Sequence, residues 1–471
     1  MKSRSEQYRG ESLLSYFHSK FSETSISFNG GATSNLKIDT HGSKSIRVRP
    51  VKQKASDPPA FQKYTKSKPC PFYKWIPDTP LTVDAFNYGV IKGCEAYILS
   101  HFHSDHYNGL SASFPGTIYC SAVRRLNNFL STQVTKSLVR IKFGGNLKVV
   151  AIPLNESFPI CGIDVVAMDA NHCPGSVMFL FHLKSMKRFI LHTGDFRFHL
   201  DMLLPPSPLA DIVGMHLIPV SGKAIPQLHT VYLDTTYCSS QYDFPPQQVI
   251  IAGAVEVTRV QLEKYPNTVV VCGMYTLGKE RFVYGLASEL NLRVWLHRNQ
   301  HQLVSTAALN GCTVCASLMA HVVSNQQRAQ LHVLPMAQLG MSSLIQYRTT
   351  LGPSNDQTPF NSPSNVNRPR PLVAWRPTGW SHQTGAKTNK LLQTTLDSSK
   401  PLPEGIRLQQ CNDNIRIYGA AYSEHSSYSE LKRFITHLRP NHVQPTVFGS
   451  AARGCQLEIE SWLENHSPTD L

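Results

Sequence analysis

The chain has 471 residues, too many for one ordinary domain, and 41% of them are hydrophobic, so a core of considerable size can form. Its 46 Lys and Arg against 31 Asp and Glu give a formal net charge of +15, which favours a polyanionic partner over a basic one. No apolar run reaches membrane-span length, MKSRSEQYRG lacks a signal-peptide core, and eleven cysteines fall in no framework spacing; the expected class is a soluble, intracellular, reduced protein with no membrane partner.

Residues 1–66 read as a disordered basic tail, rich in Ser, Lys and Gly. Within it, GESLLSYFHSKF places Leu13, Tyr16 and Phe17 at the spacing of one helical turn. Residues 10–17 resemble the short peptide by which replication and repair proteins dock on the sliding clamp, with Gly10 where such peptides usually carry Gln. IRVRPVKQK (46–54) reads as a nuclear import signal.

From residue 67 the chain becomes globular. LTVDAF, AYILS, GTIYC, LKVVAI, IDVVAM, SVMFLFHL, RFILHT and TVYLDT predict strands, and SAVRRLNNFL (121–130) predicts a helix among them. A second zone, 241–385, opens with the helical spacing of PPQQVIIAGAVEVTRVQLEKY and continues with TVVVCGMYTLGKE, a strand, turn and helix start. Residues 201–227 and 349–371 read as loops, and residues 386–471 return to mixed strand and helix. Cys312 and Cys315 form a C-x-x-C whose simplest reading is two small buried side chains, since a structural zinc site needs four ligands.

LSHFHSDHYNGL (99–110) carries His101, His103, Asp105 and His106 directly after an apolar run. Residues two apart on a strand end point the same way, so His101 and His103 can grip one metal, and Asp105 and His106 can address a second. His172 in MDANHCPGS, Asp195 in LHTGDFR, Asp84 in LTVDAF and Asp234 in VYLDTTY all follow predicted strands in the same manner.

Asp84, HFHSDH, NHCPGS and TGDFR together resemble the ordered motifs of the metallo-β-lactamase fold. Asp234 in LDTTY, His425 in YSEHSSYSEL and Val447 in PTV are similar to three further motifs of its β-CASP nucleases. With GMYTLGKE and RPTGWSH, the pattern over residues 69–450 looks most like the DNA cross-link repair nucleases, the group that includes Apollo and Artemis.

The resemblance implies an α/β fold, an αββα metallo-β-lactamase sandwich in two stretches (67–240 and 386–471), with an α/β β-CASP domain (241–385) inserted between them. It implies that His101, His103, His172 and Asp195 hold a first metal, and that Asp105 and His106, with Asp195 bridging, hold a second, weaker one because Val447 replaces a ligand. Zn²⁺ suits this donor set, and Mn²⁺ or Fe fit it too. Asp84 would orient a ligand. Asp105, His106, Asp195, Asp234 and His425 would be the catalytic groups, acting as a monomer in the nucleus on DNA with a 5′ end. The implied activity is 5′→3′ exonuclease; a structure-selective endonuclease and an RNA-processing nuclease are the alternatives. Lys279, Ser423 and Ser426 are the expected pocket for a terminal phosphate.

GMYTLGKE is also one residue from a phosphate-binding loop, but Glu280 stands where Ser or Thr would bind Mg²⁺. A small-molecule hydrolase of the same fold would lack the 241–385 insertion and His425. A catalytically dead scaffold would have lost ligands such as Asp105 or Asp195.

Overall fold

The fold is known from a computed structural model that describes residues 68–122, 134–210, 212, 227–351, 370–382, 401–447 and 452–464. The clamp-like peptide at 10–17 and the basic tail lie outside the described residues. So does most of the helix expected at 121–130; its first two residues, Ser121 and Ala122, end a strand instead.

Four short parallel strands form the first sheet in chain order: β1 (Leu81–Val83), β2 (Ala96–Ile98), β3 (Thr117–Ala122) and β4 (Val149–Pro153). A second sheet follows. In it β5 (Ser157–Ile160), β6 (Ile163–Asp169), β7 (Val177–Leu183) and β8 (Arg188–His192) run antiparallel, and β9 (Gln227–Leu233) joins β8 in parallel. Period-two patterning explains why the two sheets stack. Leu81, Val83, Ala96 and Ile98 meet Val165, Ala167, Phe179, Phe181 and Ile190 in one buried cluster. The alternate residues Met168, Met178, Leu180 and Leu191 face the other way, into a layer with Leu431, Phe434, Ile435 and Ile459. These last belong to helices Tyr428–Leu438 and Ala452–Glu464, while helix Val134–Phe143 buries Val134, Leu138 and Val139 with Tyr97 and Ile118 on the far side of the first sheet. The layering is αββα.

The inserted domain starts with helix Gln247–Lys264 and carries its own sheet. That sheet contains β10 (Val269–Met274), β11 (Val294–Leu296), β12 (Leu331–Pro335), β13 (Leu372–Pro377), β14 (Ile406–Cys411) and β15 (Ile415–Ala420), in the order β11-β12-β10-β13-β15-β14. All pairs are parallel except β14 with β15. β10 is buried along its whole length, as expected for a central parallel strand covered on both faces. The sheet also corrects a boundary. Residues 406–420 belong to it, not to the first domain as a limit at residue 385 requires. β15 pairs along the whole of β13, from Leu372 opposite Ile415 to Pro377 opposite Ala420, and Tyr418 stacks on the fully buried Trp375 at 5.1 Å. The chain returns to the sandwich only after residue 420, and β16 (His442–Pro445) then pairs with β9. Among the described residues no helix is long and apolar enough to cross a membrane.

One buried cation ties this return to the second sheet. Arg197, just after β8, is 3% exposed. Its Nε and Nη2 donate to both oxygens of Glu430, at 2.7 and 2.9 Å, and Nη1 donates to the Ser423 carbonyl at 3.0 Å. Glu430 also accepts from the Ser427 backbone N–H in a capping box that starts helix Tyr428–Leu438. Removing one partner of such a pair leaves a charge without compensation. Glu430→Ala should therefore lower stability by about 3 kcal/mol, read as a fall in unfolding midpoint. A change no larger than that of an exposed surface mutation would show that the pair does not hold the segment.

Candidate metal centre and active site

Each titratable residue of the site sits just past a strand. Asp84 ends β1 with a left-handed backbone (φ 50°), and its two oxygens accept from the Ser100 N–H (2.9 Å) and the Ser100 hydroxyl (2.7 Å) beyond β2. His101 follows Ser100, His103 caps the short helix Ser104–Tyr107, and His106 lies within that helix. His172 follows β6 in a turn whose Ser176 hydroxyl accepts from the N–H groups of His172 and Cys173. Asp195 follows β8. Gly194 before it has φ 55°, and a Cβ there would stand 2.9 Å from that of Ser100, so glycine is what allows the two loops to touch.

The imidazoles converge. His101 Nε2 lies 2.9 Å from His103 Nδ1, which lies 3.1 Å from His172 Nε2. Asp195 Oδ2 lies 3.2 Å from His106 Nε2, 3.6 Å from His101 Nε2 and 3.8 Å from His172 Nε2. Every ring is held through its other nitrogen. His106 Nδ1–H donates to Asp84 (2.7 Å), His172 Nδ1–H to the Glu424 carbonyl (2.8 Å) and His103 Nε2–H to the Leu277 carbonyl (3.0 Å). His101 Nδ1 lies 2.9 Å from the Ser100 hydroxyl, which gives its own proton to Asp84. These donations leave the lone pairs of His101, His103 and His172 aimed at one another. Burial holds the pKa of His101 and His172 well below the ordinary histidine value, helped by the neighbouring imidazoles, and burial lowers His103 as well. Neutral nitrogens about 3 Å apart fit a metal ion: the edge of a tetrahedron with zinc–nitrogen bonds is about 3.3 Å. The residues present therefore suit a cation, and Asp195 offers it a negative oxygen. Burial works against that charge, but His106 and the other imidazoles keep the carboxyl well below its usual range.

Asp105 stands at the open side, with a side chain 76% exposed and Oδ2 3.5 Å from His106 Nε2. Val447 lies just past β16, is 42% exposed and brings no donor side chain. On the other flank His425 Nδ1–H donates to Asp234 Oδ2 at 2.7 Å, while Asp234 Oδ1 accepts from the Thr236 N–H and hydroxyl. One ligand atom of His425 lies within 4.8 Å of those of His172 and Asp195.

The expected phosphate pocket is corrected. Lys279 Nζ is paired with Glu424 Oε2 at 3.1 Å, and both side chains are almost fully buried. The Ser423 hydroxyl donates to the His425 carbonyl and accepts its N–H; the Ser426 hydroxyl donates to the Phe196 carbonyl and accepts the Phe198 N–H. A cation already neutralised, and hydroxyls already committed to the backbone, are not free to hold a terminal phosphate. The near-miss phosphate loop is filled likewise: Glu280 Oε1 accepts the Gly278 N–H at 2.9 Å.

Three contributors escaped the sequence reading. Glu424 holds His172 through its carbonyl and holds Lys279 through both its N–H (2.6 Å) and its ammonium. Leu277 contributes only a carbonyl, which no side-chain pattern announces. Cys173 places its sulfur within 4.8 Å of the ligand nitrogens of His101, His103 and His172; its position beside His172 was the one available hint.

The family described as DNA repair metallo-beta-lactamase matches residues 316–451, the stretch that carries β12 to β16 and His425. The chain belongs to the DNA repair metallo-β-lactamase family. It is 36% identical over 382 residues to the DNA cross-link repair 1A protein of Gallus gallus, covering 81% of this chain and 33% of that one. It is 33% identical to the DNA cross-link repair protein SNM1 of Arabidopsis thaliana, covering 81% and 66%. It is 30% identical to the 5′ exonuclease Apollo of Mus musculus, covering 79% and 54%. The chain thus spans about a third of the length of the cross-link repair 1A relatives. In this metallo-β-lactamase family member the αββα sandwich supplies the imidazoles and carboxylates, and the inserted domain closes over them through Leu277 and Lys279.

Two predictions follow from this geometry. Asp195→Asn should lower metal affinity by on the order of 100-fold or more and Asp84→Asn by about 10- to 100-fold, with the circular dichroism spectrum of the fold retained; metal content after equilibrium dialysis measures both, and full metal retention by the Asp195 variant would remove it from the centre. Burial, reinforced by nearby Glu424, raises the Glu280 pKa to about 8. The folded chain then keeps a proton that the unfolded chain, with an ordinary carboxyl, has lost. The stability from this group is fully present below about pH 4.5 and is lost as pH rises through about 8, by on the order of a few kcal/mol. Glu280→Gln should flatten the decline in unfolding midpoint across that window, and an unchanged slope would refute the assignment.

Proposed function

We propose that this chain is a metal-dependent nuclease that hydrolyses DNA phosphodiester bonds from a 5′ end and serves interstrand cross-link repair in the nucleus. The observation that carries this reading is the placement, within one site, of a cation-holding nest (His101, His103, His172, Asp195) beside a histidine–carboxylate pair (His425, Asp234). Relatives over four-fifths of the chain are named for cross-link repair, and one for 5′ exonuclease activity.

Zn²⁺ is the resident ion that the imidazole-rich set favours. A divalent cation bound here supplies an acidified water at neutral pH and positive charge beside the phosphate oxygens. His101, His103 and His172 stay neutral and keep their rings fixed, so little reorganisation accompanies binding. Asp105, His106 and Asp195 form a second, looser position: Asp105 is exposed and Val447 contributes nothing to it. Asp84 locks the orientation of His106.

His425 does the acid work. Burial pulls its pKa down, but the Asp234 carboxylate outweighs this and raises it above the ordinary value. A protonated ring here can give its proton to the departing sugar oxygen, while Asp234 holds it in line. The net charge of +15 draws the polyanionic strand. The protein works as a monomer, and residues 10–17 are its proposed sliding-clamp peptide.

Digestion of one oligonucleotide, labelled at either end, tests the reading. A 5′ label should leave first as a mononucleotide, and chelation should abolish the reaction. Cuts at internal junctions would replace the exonuclease with an endonuclease, and RNA cleavage without DNA cleavage would replace the substrate. His425→Ala should lower kcat by about 10²- to 10⁴-fold while metal content stays at the wild-type value; equal loss of metal would make His425 a ligand instead of an acid.

A further inference from the structure

Beside His425 lies a cluster of rings that the hydrolytic chemistry does not use. Tyr237, three residues after Asp234, is 3% exposed, and its ring centre is 5.9 Å from that of His425. Against it lie Phe244 at 5.1 Å, Tyr242 at 5.1 Å and Trp380 at 4.9 Å. Trp380 also meets Tyr242 edge-on, at 5.3 Å and 86°. It comes from the inserted domain, in the turn Gly379–Ser381 directly after β13, whereas Tyr237 and Tyr242 come from the segment after β9.

Two features show that this tryptophan is held in place. The Thr378 hydroxyl accepts the Trp380 N–H, starting the turn. A Cβ at residue 379 would lie 2.6 Å from the Tyr237 hydroxyl, so Gly379 is what allows the turn to press onto Tyr237. A buried indole on such a base would need no comment. Trp380 is 55% exposed. A large apolar ring, braced from below and open above, is a ready surface for another flat ring. Its place one ring away from His425, against Tyr237, at the edge of the site that would hold a phosphodiester, selects the occupant. Each nucleotide of a strand lying over the metal nest carries a flat base within reach of this edge, and base–aromatic stacking works for any base because each has a π-face.

We propose that Trp380 is a stacking platform for an unpaired nucleobase of the DNA strand, so that the substrate is fixed by one base as well as by its phosphates. The proposal rests on the nuclease reading above. Tyr237 and Gly379 are positioning residues for the platform. Stacking on Trp380 requires the base to be free of its partner, so the site favours single-stranded or frayed ends over a closed duplex end.

The test uses the full chain in EDTA, which separates binding from cleavage, with a single-stranded oligonucleotide, the same strand carrying an abasic terminal segment, and a blunt duplex. Trp380→Ala should weaken binding of the intact strand about 5- to 100-fold, and Trp380→Phe should recover most of it. The abasic strand should bind wild type as poorly as the intact strand binds the alanine variant, and the variant should no longer distinguish the two. Tryptophan emission should be quenched by the intact strand in wild type and far less in Trp380→Phe. Unchanged affinity of Trp380→Ala, or an equal loss for intact and abasic strands, would overturn the platform. A wild type that shows the base-dependent quenching but cuts nothing when metal is restored would keep the platform and sink the nuclease reading; a protein that cuts DNA with Trp380→Ala at wild-type KM would do the reverse.

Discussion

Three unprotonated imidazole nitrogens held about 3 Å apart have no attraction for one another. Left to itself such a nest would open, or one ring would take a proton and bridge to its neighbour. What prevents this is an acceptor on the far side of each ring: the Ser100 hydroxyl, whose own proton goes to Asp84, behind His101, the Leu277 carbonyl behind His103 and the Glu424 carbonyl behind His172. The rest of the architecture can be read as the means of bringing those acceptors in. Two sheets deliver Asp84, Ser100 and Asp195. The returning chain delivers Glu424. The inserted domain delivers Leu277, and fastens it through the buried Lys279–Glu424 pair.

That last fastening gives the inserted domain a role within the centre itself. Gly278 has φ 98°, and a Cβ there would stand 2.7 Å from Glu424 Oε2 and 3.6 Å from His103 Nε2. Lys279 then turns left-handed, at φ 74°, before helix Glu280–Glu289 begins. Non-glycine residues rarely adopt such a conformation without other contacts to hold them there. Here the Lys279 N–H and ammonium both reach one carboxylate, which repays the strain. Metal-site geometry and the seating of the two domains are therefore one problem with one set of bonds.

Most of the nest was legible in the sequence because each ligand follows a strand, and strands announce themselves by alternation. His101, His103 and His106 are also local to one another, so their spacing alone carries meaning. Lys279 shows where such reading fails. Its partner Glu424 is 145 residues away, and nothing in GMYTLGKE or YSEHSSYSEL reveals that one neutralises the other. Ser423 and Ser426 failed for a related reason: a hydroxyl beside a motif histidine looks available until the backbone groups it satisfies are in view. The domain limit at 385 came with the family resemblance, yet membership of a sheet is decided by which edge needs a partner. The edge of β13 is filled by β15.

The path of the chain through the two domains has a consequence for how the protein is made. β9 is synthesised well before β16, its neighbour in the second sheet, and the inserted domain comes between them. During translation the sandwich must wait with the β9 edge open and without the helices Tyr428–Leu438 and Ala452–Glu464 that cover its outer face. An open edge over an uncovered apolar layer is a site for misassociation. The inserted domain can mature first, because its sheet closes at Ala420, before Glu424 and His425 emerge from the ribosome. Order of synthesis thus makes the metal centre complete only after the inserted domain's sheet has closed, when Glu424 and His425 have joined the residues of the first half.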